Sequence, residues 1–337
     1  MAWSGAAVAV GRAVRRTVFG LPRPLRTRLA GAPVLRDGVR LDPDTRLFRR
    51  LTARLGSRRD AADLLSGRRQ FVRDLARVLA PAGLDGVPAR DLTVGGVPAR
   101  SYTPPGTHDV LVFLHGGGFI EGCRDSVDGL CRFLAVRAGI RVLSIDYRLA
   151  PEHPYPAGLD DVVAALRSAS DDRAPGERVV VGGVSAGANL ALHASLTLAR
   201  AGGPRADLVW ALYPVTDIGR TGGSRETLGS GFGLTAEGIA DVERLYLPGG
   251  DPGPTGPALV RAPDLAAMPP TYLATAGFDP LRDEGEELAQ RLRDAGVRVT
   301  GRRFPDLEHG FAGLVAVSAS ARAALLEAVT ALRDLPT

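Results

Sequence analysis

From Val94 onward, short β-branched runs alternate with segments of helical length, and this alternation is the feature that most narrows what the chain can fold into. The strand-like runs are Asp109 to Leu114, Arg141 to Asp146, Arg178 to Val184, Leu208 to Pro214, Thr271 to Ala276 and Arg298 to Phe304. Helical patterns fall between most of them or follow them, at Asp125 to Ala138, Pro156 to Ser168, Ala186 to Ala201, Glu284 to Ala295 and Ala319 to Leu335. Near-continuous apolar strands separated by helices predict an α/β protein, a mostly parallel sheet with helices on both faces.

Two stretches break the pattern. Residues 1 to 85 show helical periodicity without strands, and Thr216 to Pro248 is a Gly-rich loop with a short helical stretch. Both are expected to pack as a cap over one end of the sheet, so the chain divides into a basic extension with cap helices (1–85) and an α/β unit (86–337) with an insertion at about 216–248. At 337 residues, one large domain with such an attachment is as admissible as two small domains. No internal repeat appears at a period of about 20 to 50 residues.

Composition excludes more than it selects. Hydrophobic residues at 45% and charged residues at 23% describe a globular chain, not a fibrous or low-complexity one. No apolar run approaches the roughly 20 residues that cross a bilayer, and the first, Gly5 to Val10, is too short, with its arginines behind it rather than ahead. The chain has no lysine, a bias to be expected of a high-GC coding sequence. Charge is nevertheless uneven: residues 1–75 hold 17 Arg against 6 Asp, while the remainder is net acidic and the whole chain is +5. Cys123 and Cys131, read as lying on one helix, would be about 12 Å apart, too far to bridge. Free thiols and a reducing, cytoplasmic compartment are expected.

Val10, Val14 and Val18 recur at i, i+4 on one face of a helix whose other face carries Arg12, Arg15 and Arg16. The favoured expectation is a cap helix whose valines pack inward while the arginines are solvated. Association with an anionic membrane surface and, more weakly, a transit peptide are the competing readings.

Gly183-Val184-Ser185-Ala186-Gly187 fits G-x-S-x-G, a pattern that chance alone would supply roughly 0.2 times in such a chain. Its place between a predicted strand and a predicted helix gives it meaning. Small flanking residues allow the sharp turn that lifts a serine hydroxyl clear of a sheet, and the following helix N-terminus favours negative charge at a substrate carbonyl. His115-Gly116-Gly117-Gly118-Phe119 follows the apolar strand Asp109 to Leu114 and is far rarer, expected in fewer than about one chain in a thousand. Successive glycines expose backbone N–H groups, which an oxyanion hole requires. A phosphate cradle is the rival use of such a loop, but the chain has no lysine to complete one.

A serine nucleophile needs a base oriented by an acid. Of the five histidines, His115 opens the glycine loop and is expected to fix it together with Gly116; His108 is in a turn; His153 is in Pro-Glu-His-Pro; His193 is two helical turns beyond Ser185. His309 remains, after the last strand. Asp279 follows the strand Thr271 to Ala276 at its C-terminal end, where α/β active sites collect, whereas Asp283 reads as a helix N-terminal charge. The order Ser185, Asp279, His309 is that of the α/β-hydrolase arrangement. No metal constellation competes, since the histidines are dispersed and the cysteines lack C-x-x-C spacing. Nucleic acid is a poor fit because aromatics make up only 5% of the chain and no recognition motif accompanies the arginines.

These segments resemble the hormone-sensitive lipase group of α/β-hydrolases, bacterial esterases with an H-G-G-G loop. The resemblance runs through Val112 to Phe119, Asp146 to Pro154, Ser185 and its flanks, Gly277 to Gly285 and His309 to Phe311, and covers roughly residue 41 to the C-terminus. Residues 1–40 resemble only N-terminal extensions of some actinobacterial members. The resemblance implies an eight-stranded sheet, a helical cap from the N-terminus and the insertion, and an oxyanion hole from the N–H groups of Gly117, Gly118 and Ala186. The family usually reads G-D-S-A-G-G, whereas Val184 and Ala188 stand here for the acid and the last glycine. The change leaves the pocket less negative and predicts an altered substrate preference.

The expected activity is hydrolysis of short to medium acyl esters by Ser185, His309 and Asp279 through an acyl-enzyme, without a cofactor or metal. An acyltransferase or lactonase would use the same residues, and a non-catalytic small-molecule binding protein is the reading from another class. The expected partner is a small-molecule ester. Peripheral membrane contact through residues 1–40 and a homodimer stay open.

Overall fold

The computed structural model describes residues 2–53 and 64–334. The N-terminal part holds α1 (Gly5–Phe19), α2 (Arg23–Ala30), the paired strands β1 (Leu35–Arg36) and β2 (Val39–Arg40), α3 (Pro43–Thr52) and α4 (Leu64–Leu79). Then come β3 (Ala89–Val94), β4 (Val97–Tyr102), β5 (Val110–Leu114), α5 (Asp128–Ala138), β6 (Arg141–Ile145), α6 (Ala157–Asp171), β7 (Val179–Val184), α7 (Ala186–Arg200) and β8 (Leu208–Leu212). The remainder is α8 (Ser224–Thr227), α9 (Ala236–Tyr246), β9 (Thr271–Phe278), α10 (Arg282–Asp294), β10 (Val299–Glu308) and α11 (Ala319–Arg333).

One eight-stranded sheet has the order β10-β9-β8-β7-β5-β6-β4-β3. From β10 to β6 every pairing is parallel, and β4 and β3 add antiparallel strands at the far edge. Parity along the strands separates the two cores. Val110, Val112, Val179, Val181, Val209 and Leu273 face α6, α7 and α10, whereas Leu111, Phe113, Val180, Trp210 and Tyr272 face α5 and α11. Because both faces are covered, β5, β7, β8 and β9 are buried at every residue, which is why they read as unbroken apolar runs. Trp210 donates its indole N–H to the Ala328 carbonyl at 2.9 Å, so even the largest core side chain ties a strand to its covering helix.

Four expectations need correction. The N-terminal segment does contain strands, β1 and β2, which register Leu35 with Arg40 across the Asp37-Gly38 turn, a hairpin signal in the sequence. The β3–β4 hairpin, turning at Gly95-Gly96, supplies the two strands that the run of six left out. Cys123 and Cys131 do not share a helix: α5 begins at Asp128, after a single 3₁₀ turn at Arg124–Ser126, although both thiols are free. Of the valine face of α1, Val10 and Val14 point outward, 63% and 53% exposed, and only Val18 is half-buried, while Val8 and Gly11 pack toward α4. Leu335, the expected end of α11, lies outside the described residues.

A buried charge network fastens the segment between β8 and α9 to α10. Glu284, on the first turn of α10, is fully buried and accepts hydrogen bonds from the Thr216 N–H at 2.8 Å, the Asp217 N–H at 3.2 Å and Arg225 Nε at 2.7 Å. Arg225, itself buried, also donates to Glu243 on α9 and to the Asp217 carbonyl. Burial raises the Glu284 carboxyl, and the Arg225 guanidinium and two N–H groups oppose that shift. Glu284→Ala, which removes the acceptor and strands a buried guanidinium, is expected to cost about 3 kcal/mol in chemical denaturation, against under about 1 kcal/mol for the more exposed Glu243→Gln.

Candidate active site

Ser185 stands between β7 and α7 with φ +56°, a left-handed conformation unusual for a residue with a side chain. The surroundings hold it there. Its N–H donates to the Leu212 carbonyl on β8 at 2.9 Å, and its carbonyl accepts from Asn189 at 3.1 Å. At Gly187 a Cβ would overlap the Leu114 and His115 carbonyls, so only glycine lets α7 cross so near the end of β5. Asn189, fully buried, adds a clamp by donating to the Val215 and Pro257 carbonyls at 2.9 and 2.8 Å.

The strands carrying the other two groups end beside it. β9 ends one residue before Asp279, and β10 ends one residue before His309. His309 Nε2 is 2.9 Å from Ser185 Oγ, and His309 Nδ1 is 2.8 Å from Asp279 Oδ2. Asp279 is fully buried and uses Oδ1 to accept the Leu281 N–H at 2.8 Å, which leaves Oδ2 to the imidazole. Tyr213 presents its ring edge-on to His309 at 4.9 Å and restricts the imidazole from the side.

The glycine loop follows β5. Gly117 (φ +120°) and Gly118 (φ +59°) adopt conformations that side chains rarely take, and Gly116 lies against Ser185. Among the described residues, the N–H groups of Gly117, Gly118 and Ala186 donate to no protein acceptor. His115 is buried behind the loop, stacked on Tyr147 at 4.3 Å, with Nδ1 2.9 Å from the Gly116 carbonyl; the Tyr147 hydroxyl donates to the His115 carbonyl at 2.8 Å. Burial lowers the His115 pKa, which keeps it neutral. Side chains of α4 and α9 hold the loop from outside: Arg69 donates to the Ile120 and Ala150 carbonyls at 2.7 and 3.0 Å, Arg68 pairs with Glu121, and Tyr246 of α9 stacks on Phe119 at 3.8 Å.

A cavity of about 530 Å³ opens over Ser185 and His309. Val72, Val127 and Leu130 line one side, Leu234, Ile239 and Val242 the other, and Val184 its floor. Val72 and Leu130 also border an adjoining, largely apolar cavity of about 190 Å³ with Leu75, Ala76 and Leu79.

Ser185, Asp279 and His309 are thus brought together, with Gly117, Gly118 and Ala186 beside them and His115 with Gly116 in the supporting loop. His193 is elsewhere, 3.1 Å from the Thr255 carbonyl and pushed down to about 4 by burial, and His108 and His153 are exposed. Asp283 accepts the Ser224 N–H at 2.8 Å and is not part of the group. Sequence reasoning passed over Arg68, Arg69, Asn189 and Glu308. Each acts across a long sequence separation, and the signal available was only an asparagine in the apolar first half of α7 and an acid next to His309.

This strand–serine–helix turn, with its imidazole, carboxylate and unoccupied N–H donors, defines a serine hydrolase on an α/β-hydrolase sheet. The chain belongs to the alpha/beta-hydrolase-fold family, whose model matches residues 111–313, and within it to the hormone-sensitive-lipase-like group; it is a carboxylic ester hydrolase. It is 40% identical over 333 residues to the carboxylic ester hydrolase LipN of Mycobacterium tuberculosis, covering 93% of this chain and 88% of that one. The esterase LipI of the same organism is 38% identical over 281 residues, covering 79% and 87%. Among solved structures, the esterase LipW from Mycobacterium marinum superposes with a TM-score of 0.74 at 34% identity over 82% of this chain and 91% of that one.

Glu308 offers a measurable consequence of the packing. It is buried next to His309 and is 3.4 Å from Arg49 of α3, and burial outweighs that guanidinium, so its carboxyl is pushed up to about 7. Between the unfolded value near 4.3 and about 7, the native state binds the extra proton, so this group's contribution to stability falls as pH rises through that window. Glu308→Gln is therefore expected to raise the melting temperature relative to the parent at pH 8, with the gain shrinking toward pH 5, as followed by thermal denaturation across pH.

Proposed function

We propose that Ser185, His309 and Asp279 are the catalytic residues of this ester hydrolase and that Gly117, Gly118 and Ala186 supply its oxyanion donors. One observation carries the assignment: the continuous hydrogen-bonded line from Ser185 Oγ through the His309 ring to the buried Asp279. His309 takes the hydroxyl proton as Ser185 Oγ bonds to the ester carbonyl carbon, and the carbonyl oxygen becomes an oxyanion held by the three N–H groups. The C–O bond to the alcohol then breaks, His309 returns the proton to that oxygen, and an acyl-enzyme remains. Water deprotonated by His309 attacks the acyl carbon; collapse releases the acid and restores Ser185. Asp279 keeps Nδ1 protonated throughout and stabilises the imidazolium without accepting its proton. No step calls for a cofactor.

Residues 1–85 and the insertion at about 216–248 form the cap of this reading, supported by Arg68 and Val72 from one and Leu234, Ile239 and Val242 from the other in the cavity wall. The substrates proposed are small-molecule esters of short to medium acyl chain. Apolar walls and the adjoining apolar cavity past Val72 and Leu130 support an acyl arm longer than acetyl. Val184, where the group usually has an acid, removes negative charge from the floor and favours apolar or anionic substrates there.

Hydrolysis of a series of chromogenic esters from acetyl to long acyl is the test. Ser185→Ala is expected to lose at least about 10⁴-fold in kcat and Asp279→Asn about as much. Retention of activity in Ser185→Ala would sink the assignment. Leu130→Trp, which narrows the way into the adjoining cavity, is expected to shorten the preferred acyl chain with little change on acetyl esters.

A further inference from the structure

The N-terminal helix α1 carries a second apolar row, on the side turned to water, besides the one it packs inward. Its packed side buries Val8, half-buries Val18 and Phe19 and sets Gly11 against Val78, while Arg12 Nε donates to the Arg77 carbonyl and Arg15 to the Ala80 carbonyl, each at 2.8 Å. Trp3, just before it, donates its backbone N–H to Asp74 at 2.9 Å and meets Phe71 edge-on. The exposed side is Ala6, Ala7, Ala9, Val10, Ala13 and Val14, interrupted only by Arg12, Arg16 and Thr17. In α2 the same arrangement recurs, with Leu25 49% and Leu29 51% exposed one turn apart. An apolar row turned to water on two successive helices is not explained by core packing.

Charge says what covers it. The two helices carry Arg12, Arg15, Arg16, Arg23, Arg26 and Arg28 and no acidic residue. Arg26 is paired with Asp44, but the Arg16, Arg23 and Arg28 side chains are exposed and have no carboxylate partner among the described residues. Arg12, Arg16 and Arg77 also line a cavity of about 370 Å³ with Gly5, Val8 and Ala9, large enough for a phosphate group. A second protein would have to supply both acids and an apolar strip, whereas an anionic bilayer presents both together, phosphates above acyl chains.

We propose that α1 and α2 dock on anionic phospholipid membrane, with Val10, Val14, Leu25 and Leu29 entering the headgroup boundary and the unpaired arginines contacting lipid phosphates. The Arg12, Arg16 and Arg77 cavity receives one headgroup. Helix α4 links this face to the ester site, since it carries Arg77 in the basic cavity and Arg68 and Val72 in the wall over Ser185. Docking itself does not depend on the assignment of Ser185.

The full chain is to be sedimented with phosphatidylcholine vesicles, with and without roughly 30% phosphatidylserine, at low and high salt. Binding to the anionic vesicles only, weakened by salt, is expected. Arg16→Gln, Arg23→Gln and Arg28→Gln together should weaken it by about fivefold per arginine, and Val10→Asp with Val14→Asp should abolish it. Turnover of a soluble acetyl ester should stay unchanged in every variant, which separates loss of docking from loss of fold or catalysis. Equal binding to neutral vesicles, or undiminished binding after Val10→Asp with Val14→Asp, overturns the proposal. So does a dimer that those two substitutions dissolve without any vesicle binding, which would assign the face to a second copy of the chain.

Discussion

The crossing of α7 over the end of β5 is the constraint on which the site depends. For Ser185 to leave β7 at positive φ and enter a helix at once, the backbone at Gly187 must pass against the Leu114 and His115 carbonyls, at a distance no side chain permits. That contact places the serine turn directly against the glycine loop. Ser185 Oγ and the free N–H groups of Gly117, Gly118 and Ala186 consequently share one small volume. The parallel sheet does the rest, because β5, β7, β9 and β10 all deliver their C-terminal ends to the same edge.

Around this centre, charge pairs add direction to the apolar packing of the segments that surround it. Arg225, Glu284 and Glu243 bind α8 and α9 to α10, while Arg68 and Arg69 of α4 grip the carbonyls and carboxylates of the glycine loop and its neighbour. The Arg225 interactions fix orientation, since a buried guanidinium accepts few alternative geometries. The contacts of α4 couple the N-terminal helices to the site. α1 rests on α4, α4 walls the cavity, and Arg49 of α3 meets the carboxylate next to His309. An apolar, arginine-edged surface on α1 is therefore one helix away from the ester-binding cavity.

The two cores and the nucleophile turn were legible because their signals are local. Unbroken apolar strands announce burial on both faces, and a serine between glycines at a strand end announces the turn. Two kinds of feature were not. The face that α1 presents inward follows from where α4 lies, and Val10 and Val14 at helical spacing look the same whether they meet a core or a membrane. The hydrogen bonds of Asn189, Arg69 and Glu284 join residues 26 to 83 positions apart, a separation over which sequence carries no geometric record.

By itself the sequence determined the class of fold, the family and the chemistry available, because strand periodicity, glycine placement and the order of serine, aspartate and histidine are properties of short segments. Tertiary structure alone decided which carboxylate oxygen faces the imidazole, which side of α1 meets solvent, and how far the apolar space extends beyond Val72 and Leu130. Those depend on distances between segments. Only close packing of the folded chain fixes such distances.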